Sequence, residues 1–269
     1  MRPVGALSKI LSLAVALAAF VSAATLQAAP QKNTAVVRAV RGTANYSTDA
    51  GANWKKLSVG NKLEQNSVIR TAPGSTVDLF LGVNGPVVRV TEATTMGIDK
   101  LTMDAAGAGE TVIETQLDLR NGRILGNVKK MAAASKYEVK TPQGVAGIRG
   151  TRYDIRADGT VTVIEGTVIV VYVVGGQAST ATVNAGQTAT PPAQGGGVPP
   201  VVNTDAGVGN AISGEIDAAT TISIDDGRTE PTTVVIVIEP KEAFQDGDPA
   251  KLETEVKGSS GNSTPSPGE

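Results

Sequence analysis

The sequence predicts an all-β fold, with short strands stacked as a β-sandwich, roll or short β-solenoid and a disordered acidic C-terminal tail. Apolar residues recur with a period of two in runs of about four to seven residues. Turn residues separate these runs at a spacing of about eight to twelve, which argues against a βαβ arrangement. The chain of 269 residues carries 31 Gly and 14 Pro but only 3 Phe, 4 Tyr and 1 Trp. Its core is therefore aliphatic and its bends frequent.

Taken in order, residues 1–29 read as an export signal. Arg2 and Lys9 precede an apolar stretch from Ile10 to Val21, and small residues follow as far as Ala29. That stretch is shorter than the roughly 20 residues of a spanning helix. The expected mature chain starts near Ala29 or Pro30, has no transmembrane segment, and is periplasmic or extracellular.

An all-β domain is expected over 35–190. It begins with Ala35 to Arg41 and continues through Gly42 to Ser47 and Trp54 to Val59. Trp54 is either a sugar-stacking platform or, as is more usual, a cover for the end of the core. Val77, Leu79 and Leu81 share one face of their run, with Thr76, Asp78 and Phe80 on the other. Asn84-Gly85-Pro86 turns the chain, and Ala105 to Gly109 forms a loose loop. Ile113, Thr115, Leu117 and Leu119 again share a face, and Asn121-Gly122 predicts a hairpin to Arg123–Val128. Lys129 to Ser135 (KKMAAAS) is the one stretch suited to a helical turn.

The centre of the domain is Lys136 to Glu165, three alternating runs with Asp158-Gly159 as a tight turn before the last. Pro142, Gly144, Gly147 and Gly150 lie between the first two runs and predict a folded corner that bends several times, with Val145 and Ile148 buried in it. Thr167 to Val174 (TVIVVYVV) is apolar on both faces and predicts a central strand covered on both sides.

Beyond the domain, 191–204 is a Pro/Gly linker by composition, 205–240 a short β segment with strands expected at 210–224 and 232–238, and 241–269 a disordered acidic tail. From Pro30 to Thr204 there are 18 basic and 13 acidic residues, a net of +5; from Asp205 onward there are 4 and 13, a net of −9. A basic body thus carries an acidic end.

Without Cys or His, nucleophilic triads, thiolate or imidazole metal sites and disulfides are excluded. Catalysis by paired carboxylates remains open in principle, with Glu114 and Asp118, or Asp154 and Glu165, as the nominees; it would require two of them facing across a cleft about 5 to 9 Å wide. Surface charges explain them equally well, and no enzymatic activity is expected. Asp225-Asp226-Gly227 and Asp246-Gly247-Asp248 lack the ligand spacing of known calcium loops and read as turns. No metal or cofactor is expected.

The stronger signal is basic. Nine Lys or Arg between Arg120 and Arg156 face only Glu138 and Asp154. They suit an anionic partner, whether a protein, an anionic envelope component such as polysaccharide or lipid head groups, or this chain's own acidic tail, or else are a set of dispersed solubilising charges on alternate strand positions. Lys140, Arg149, Arg152 and Arg156 are the candidate binding residues. Nucleic acid is not an expected partner of an exported chain so poor in aromatics.

The segment Thr141-Pro142-x-Gly144-x-x-Gly147-Ile148-x-Gly150-Thr151-x-Tyr153, followed by Glu165-Gly166-Thr167-Val168, resembles the signature of the FecR-domain family. Weaker landmarks occur in the same order at Gly60–Leu63, Ile69–Gly74, Asn121–Ile124 and Ala185–Gln187, so the resemblance spans roughly 36–190. Thr141, Pro142, Gly144, Gly147, Gly150, Thr151, Tyr153 and Gly166 are then expected to serve the fold; Tyr153 stands where the family more often carries Phe. Family members in iron-uptake signalling relay a receptor's state to a sigma factor through a cytoplasmic segment and a membrane helix, neither of which is expected here. The resemblance implies a non-enzymatic extracytoplasmic binding module in cell-envelope signalling or in protein or glycan recognition. The alternative is a structural envelope or matrix protein that self-assembles through strand edges.

Overall fold

The computed structural model describes residues 31–82, 87–104, 111–194 and 196–224. Every described residue lies in one compact unit, within 1–228. Residues 1–29, the turn at 84–86, the loop at 105–109, the end of the proposed 205–240 segment with Asp225-Asp226-Gly227, and the 241–269 tail with Asp246-Gly247-Asp248 fall outside the described residues.

The all-β expectation holds, with one helix among the described residues. The strands are β1 (Gln31–Lys32), β2 (Ala35–Arg41), β3 (Ala44–Ser47), β4 (Lys55–Lys56), β5 (Lys62–Leu63), β6 (Val68–Thr71), β7 (Thr76–Phe80), β8 (Val87–Val90) and β9 (Thr95–Asp104). They continue as β10 (Val112–Asn121), β11 (Arg123–Asn127), β12 (Lys136–Thr141), β13 (Gly144–Arg156), β14 (Val161–Val174), β15 (Gln177–Asn184), β16 (Gln187–Ala189) and β17 (Val201–Asn203), and the helix is α1 (Ala206–Ile224).

Pairing produces one continuous sheet that curls like half a barrel and forks into two ladders. Sheet I runs β4-β3-β6-β9-β10-β12-β13-β14-β15. Sheet II runs β5-β2-β7-β8-β11-β13-β14-β16-β17. The long strands β13 and β14 belong to both. Neighbours are antiparallel except β10 and β12, which run parallel.

The passage from one ladder to the other is built from two register shifts. Between the pairs Arg149↔Thr167 and Arg152↔Glu165, β13 holds two residues and β14 one. Between Arg152↔Glu165 and Tyr153↔Val163, β14 holds the extra residue, Ile164. An added residue bends a strand and swaps the face of everything after it. Accordingly the inward residues of β13 change from even (Ala146, Ile148) to odd (Thr151, Tyr153, Ile155), all nearly solvent-free. The sheet turns a corner while the same side stays inside.

The concave side encloses an aliphatic core, including Val37, Leu63, Leu79, Val88, Ile98, Leu117, Val163 and Val183, with three tyrosines, Tyr137, Tyr153 and Tyr172, also buried. The alternations at Val77–Leu81 and Ile113–Leu119 bury the expected faces. Asp158-Gly159 makes the expected turn between β13 and β14, where the Thr160 amide donates to the Asp158 carboxylate over 2.9 Å. Trp54 is half-buried and covered by the Arg70 guanidinium, 4.4 Å from the ring centroid.

Several expectations are overturned. Asn121-Gly122 joins no hairpin: β10 pairs with β9 and β12, and β11 with β8 and β13, so this turn is a corner between ladders. Gly122 has φ +84°, and a Cβ there would lie 2.6 Å from Thr94 Cα. Lys129–Ser135 is extended and turn-like, because its ends are anchored: the Val128 amide donates to Thr151 O and Ser135 Oγ accepts from the Ile113 amide. Within Thr167–Val174 only one face is covered; Ile169 and Val173 are 54% and 52% exposed. The Pro/Gly stretch at 191–200 is tied down, with the Thr190 amide donating to Pro200 O and β17 pairing with β16.

Residues 206–224 form α1 where strands were expected. Asp205 caps the helix, its carboxylate accepting from the amides of Gly207 and Val208 over 2.9 and 3.1 Å. Ile212, Ile216 and Ala219 fall on one helical face and are buried against the convex side of sheet II, around Leu125 and Ile164. The β-branched residues set the strand expectation; the cap and the four-then-three spacing decide the outcome.

Candidate functional site: a basic groove at the glycine bulge

Pro142-Gln143 is a single hairpin turn between β12 and β13, and the rest of the glycine segment lies inside β13. The predicted corner of several bends is therefore one turn and one bulge. Val145 points outward, 37% exposed, and only Ile148 is buried. Thr151 pins the bulge: its buried hydroxyl donates to Thr167 O over 3.0 Å and to Arg149 O over 3.2 Å.

Two glycines make the bulge possible. Gly150 has φ +63°, and a Cβ there would stand 3.3 Å from Lys130 Cα. Gly166, opposite, has φ +86°, and its Cβ would collide with the Gly150 carbonyl oxygen and lie 3.1 Å from Thr151 Cα. Bare backbone at both positions lets the Lys129-Lys130 loop lie against the bend.

The result is a groove of about 420 Å³ lined by Asn127, Lys129, Lys130, Arg149, Arg152 and Glu165. Lys129, Lys130 and Arg149 are exposed and make no ion pair with any described residue. Arg152 is partly neutralised: its Nη2 donates to Ser213 O over 3.2 Å and to the Asp217 carboxylate, while its buried Nε has no described partner. Four cations face one acid in a concavity, an arrangement that raises the local concentration of anions.

The candidate cations are thus divided. Arg149 and Arg152 meet at the groove. Lys140 lies on the outer face of sheet I, where its ammonium donates to Asp99 over 2.6 Å and is held above the usual lysine range by that bond. Arg156 lines a second cleft of about 720 Å³ with Arg123, Glu92, Asp158 and Glu215, where acids outnumber bases. Lys129 and Lys130 were visible as a basic pair, but nothing in the sequence placed their loop against Gly150.

The nominated carboxylates do not converge on one cleft. Glu114 pairs with Lys100 at 2.6 Å and Asp118 with Arg120 at 2.7 Å on sheet I. Asp154 is buried beneath α1, where burial raises its pKa against the opposing pull of Arg123. Glu165 alone lines the groove. No group of three potential metal ligands occurs among the described residues, and no described helix is long and apolar enough to cross a membrane.

Residues 67–169, a span that contains the bulge and the groove, match the family model described as FecR protein. Over this span the chain is similar to FecR proteins. The match is narrower than the 36–190 expected, since it omits β2 to β5, the end of β14, and all of β15 and β16. Two crystal structures of a "putative anti-sigma factor from Parabacteroides distasonis ATCC 8503", at 1.65 and 2.50 Å resolution, are similar at 17% identity, with TM-scores of 0.38 and 0.39. Each similarity covers 52% of this chain and 60% of the other. No curated protein matches the chain.

Proposed function

We propose that this FecR domain belongs to an exported, non-enzymatic binding module of cell-envelope signalling, and that it holds a protein or another anionic envelope component at the bulge groove. The observation that carries the reading is the meeting of Lys129, Lys130, Arg149 and Arg152 around Glu165. The FecR match supports a signalling role. Unpaired cations in a groove attract an acidic surface at a range set by the Debye length, about 8 Å at physiological salt.

Capture from envelope extract tests it. Wild-type chain should retain a partner that elutes as salt is raised, and Lys130→Glu with Arg149→Glu should lower retention by roughly tenfold or more. Retention unchanged by the double substitution would sink the groove as the site.

Self-assembly through strand edges is the second reading, and one observation favours it. Among the described residues β15 pairs only with β14, and Ile169, Val171 and Val173 stand exposed on the adjoining face. Light scattering that shows oligomers growing with concentration, and shrinking on Ile169→Lys, would favour that reading.

A further inference from the structure

The convex face of sheet II under α1 is unlike a core. Beneath the helix, Asp78 and Arg89 are 1% and 5% exposed and Asp154 is 2% exposed. These charges pair with one another within the sheet, and Arg89 and Arg123 each make a further contact to Glu215 of the helix. Arg89 donates twice to Asp78, over 2.6 and 2.8 Å, and Arg123 donates to Asp154 over 2.6 Å. Only Leu125 and Ile164 join Ile212 and Ile216 in an apolar cluster, which is separate from the main core on the concave side. Lifting the helix therefore costs Arg89 and Arg123 their contacts to Glu215 but leaves the Asp78–Arg89 and Arg123–Asp154 pairs intact and hydrated, and leaves the main core closed.

The helix is weakly built for its place. Its sequence AGVGNAISGEIDAATTISI contains Gly207, Gly209 and Gly214, residues that disfavour a helix interior. Thr220 and Thr221 donate back to the carbonyls of Ile216 and Asp217, competing with the backbone ladder. Its ion pairs sit at the rim: Glu215 meets Arg123 at 3.1 Å with its side chain 38% exposed, and Asp217, which meets Arg152, is 64% exposed; one buried cation also reaches the helix backbone, Arg89 donating to the Glu215 carbonyl over 2.9 Å. Such contacts select an acidic helix by charge and hold it loosely.

We propose that α1 is a displaceable strap, and that the face it covers, with Arg89, Arg123 and Arg152 around Leu125 and Ile164, docks an acidic amphipathic helix of a partner protein in its place. The occupant is defined by the one already there: two apolar residues one turn apart, with acids between and after them, as in Ile212, Glu215, Ile216 and Asp217. A partner helix without the internal glycines would make the same contacts at a smaller ordering cost. This surface is distinct from the open groove, sharing with it only Arg152.

The chain has no cysteine, so a single introduced thiol reports local opening. In the full chain, Leu125→Cys and, as a second probe, Ile164→Cys should react with a thiol reagent roughly tenfold or more faster than Val163→Cys in the main core. Equal rates at all three positions would mean that α1 leaves only on global unfolding, and would overturn the proposal. A labelled synthetic peptide of residues 205–224 carrying Gly209→Ala and Gly214→Ala should then bind the full chain saturably in fluorescence anisotropy. The same peptide with Glu215→Gln and Asp217→Asn should bind roughly tenfold more weakly. No saturable binding, or equal binding of the two peptides, overturns the docking. Binding retained by an Arg149→Glu chain supports it, and binding lost there would put the peptide on the groove and overturn it.

Discussion

The hydroxyls of Tyr137 and Tyr153 meet 3.2 Å apart inside the curled sheet, with the rings edge to face at 61° and their centroids 6.4 Å apart. Each oxygen is buried and finds its partner in the other, a role that a phenylalanine at either position would leave unfilled. Tyr153→Phe removes one partner and strands the Tyr137 hydroxyl, a loss of about 1 to 3 kcal/mol by chemical denaturation. Tyr137→Phe with Tyr153→Phe removes both polar groups and should recover most of that loss.

The same burial fixes a response to alkali. Burial raises the pKa of Tyr137 and Tyr172 and sets Tyr153 well above the usual range. Above about pH 10 the unfolded chain loses tyrosine protons that the folded chain keeps, so stability falls as pH rises, by up to about 1.4 kcal/mol per unit for each tyrosine. Denaturation midpoints measured from pH 8 to 11 (approximate settings bracketing the free tyrosine value) should decline, and less steeply in Tyr172→Phe.

Gly166→Ala should be among the most damaging small substitutions in the domain. It combines a left-handed φ of +86° with a Cβ pressed on the Gly150 carbonyl, and about 2 kcal/mol or more should be lost. Gly150→Ala, at φ +63° and 3.3 Å from Lys130 Cα, should also move the basic loop. Loss of thermal stability, accompanied in the second variant by weaker anion retention, would be the joint signature.

Gly214→Ala should act in the opposite sense. This helical glycine has open space where a Cβ would stand, so the change should add about 0.5 to 1 kcal/mol to helix stability. Thiol labelling of Leu125→Cys should slow accordingly, and an unchanged rate would show that helix propensity does not govern the strap.

The sequence carried the alternation of β7 and β10, the Asp158-Gly159 turn and the importance of the glycine segment, because each is a local pattern of side-chain period or backbone freedom. What it could not carry were the relations between distant residues. Asn121-Gly122 has the same dipeptide chemistry whether it closes a hairpin or turns a corner, and only the pairing of β11 with β8 and β13 separates the two. Thr167–Val174 reads as doubly buried although one face is open, since composition does not count layers. Ile212 and Ile216 read as strand residues until the Asp205 cap is weighed. At the site, Arg149 and Arg152 were legible beside the glycines, whereas Lys129 and Lys130 reach them only through a contact to Gly150 that no spacing rule encodes.

Because β13 and β14 are consecutive in sequence and thread both ladders, their hairpin can form from nearby residues before any distant strand arrives. Folding that starts there would grow both halves from one template, so a defect at the bend should slow refolding itself and not only hasten unfolding.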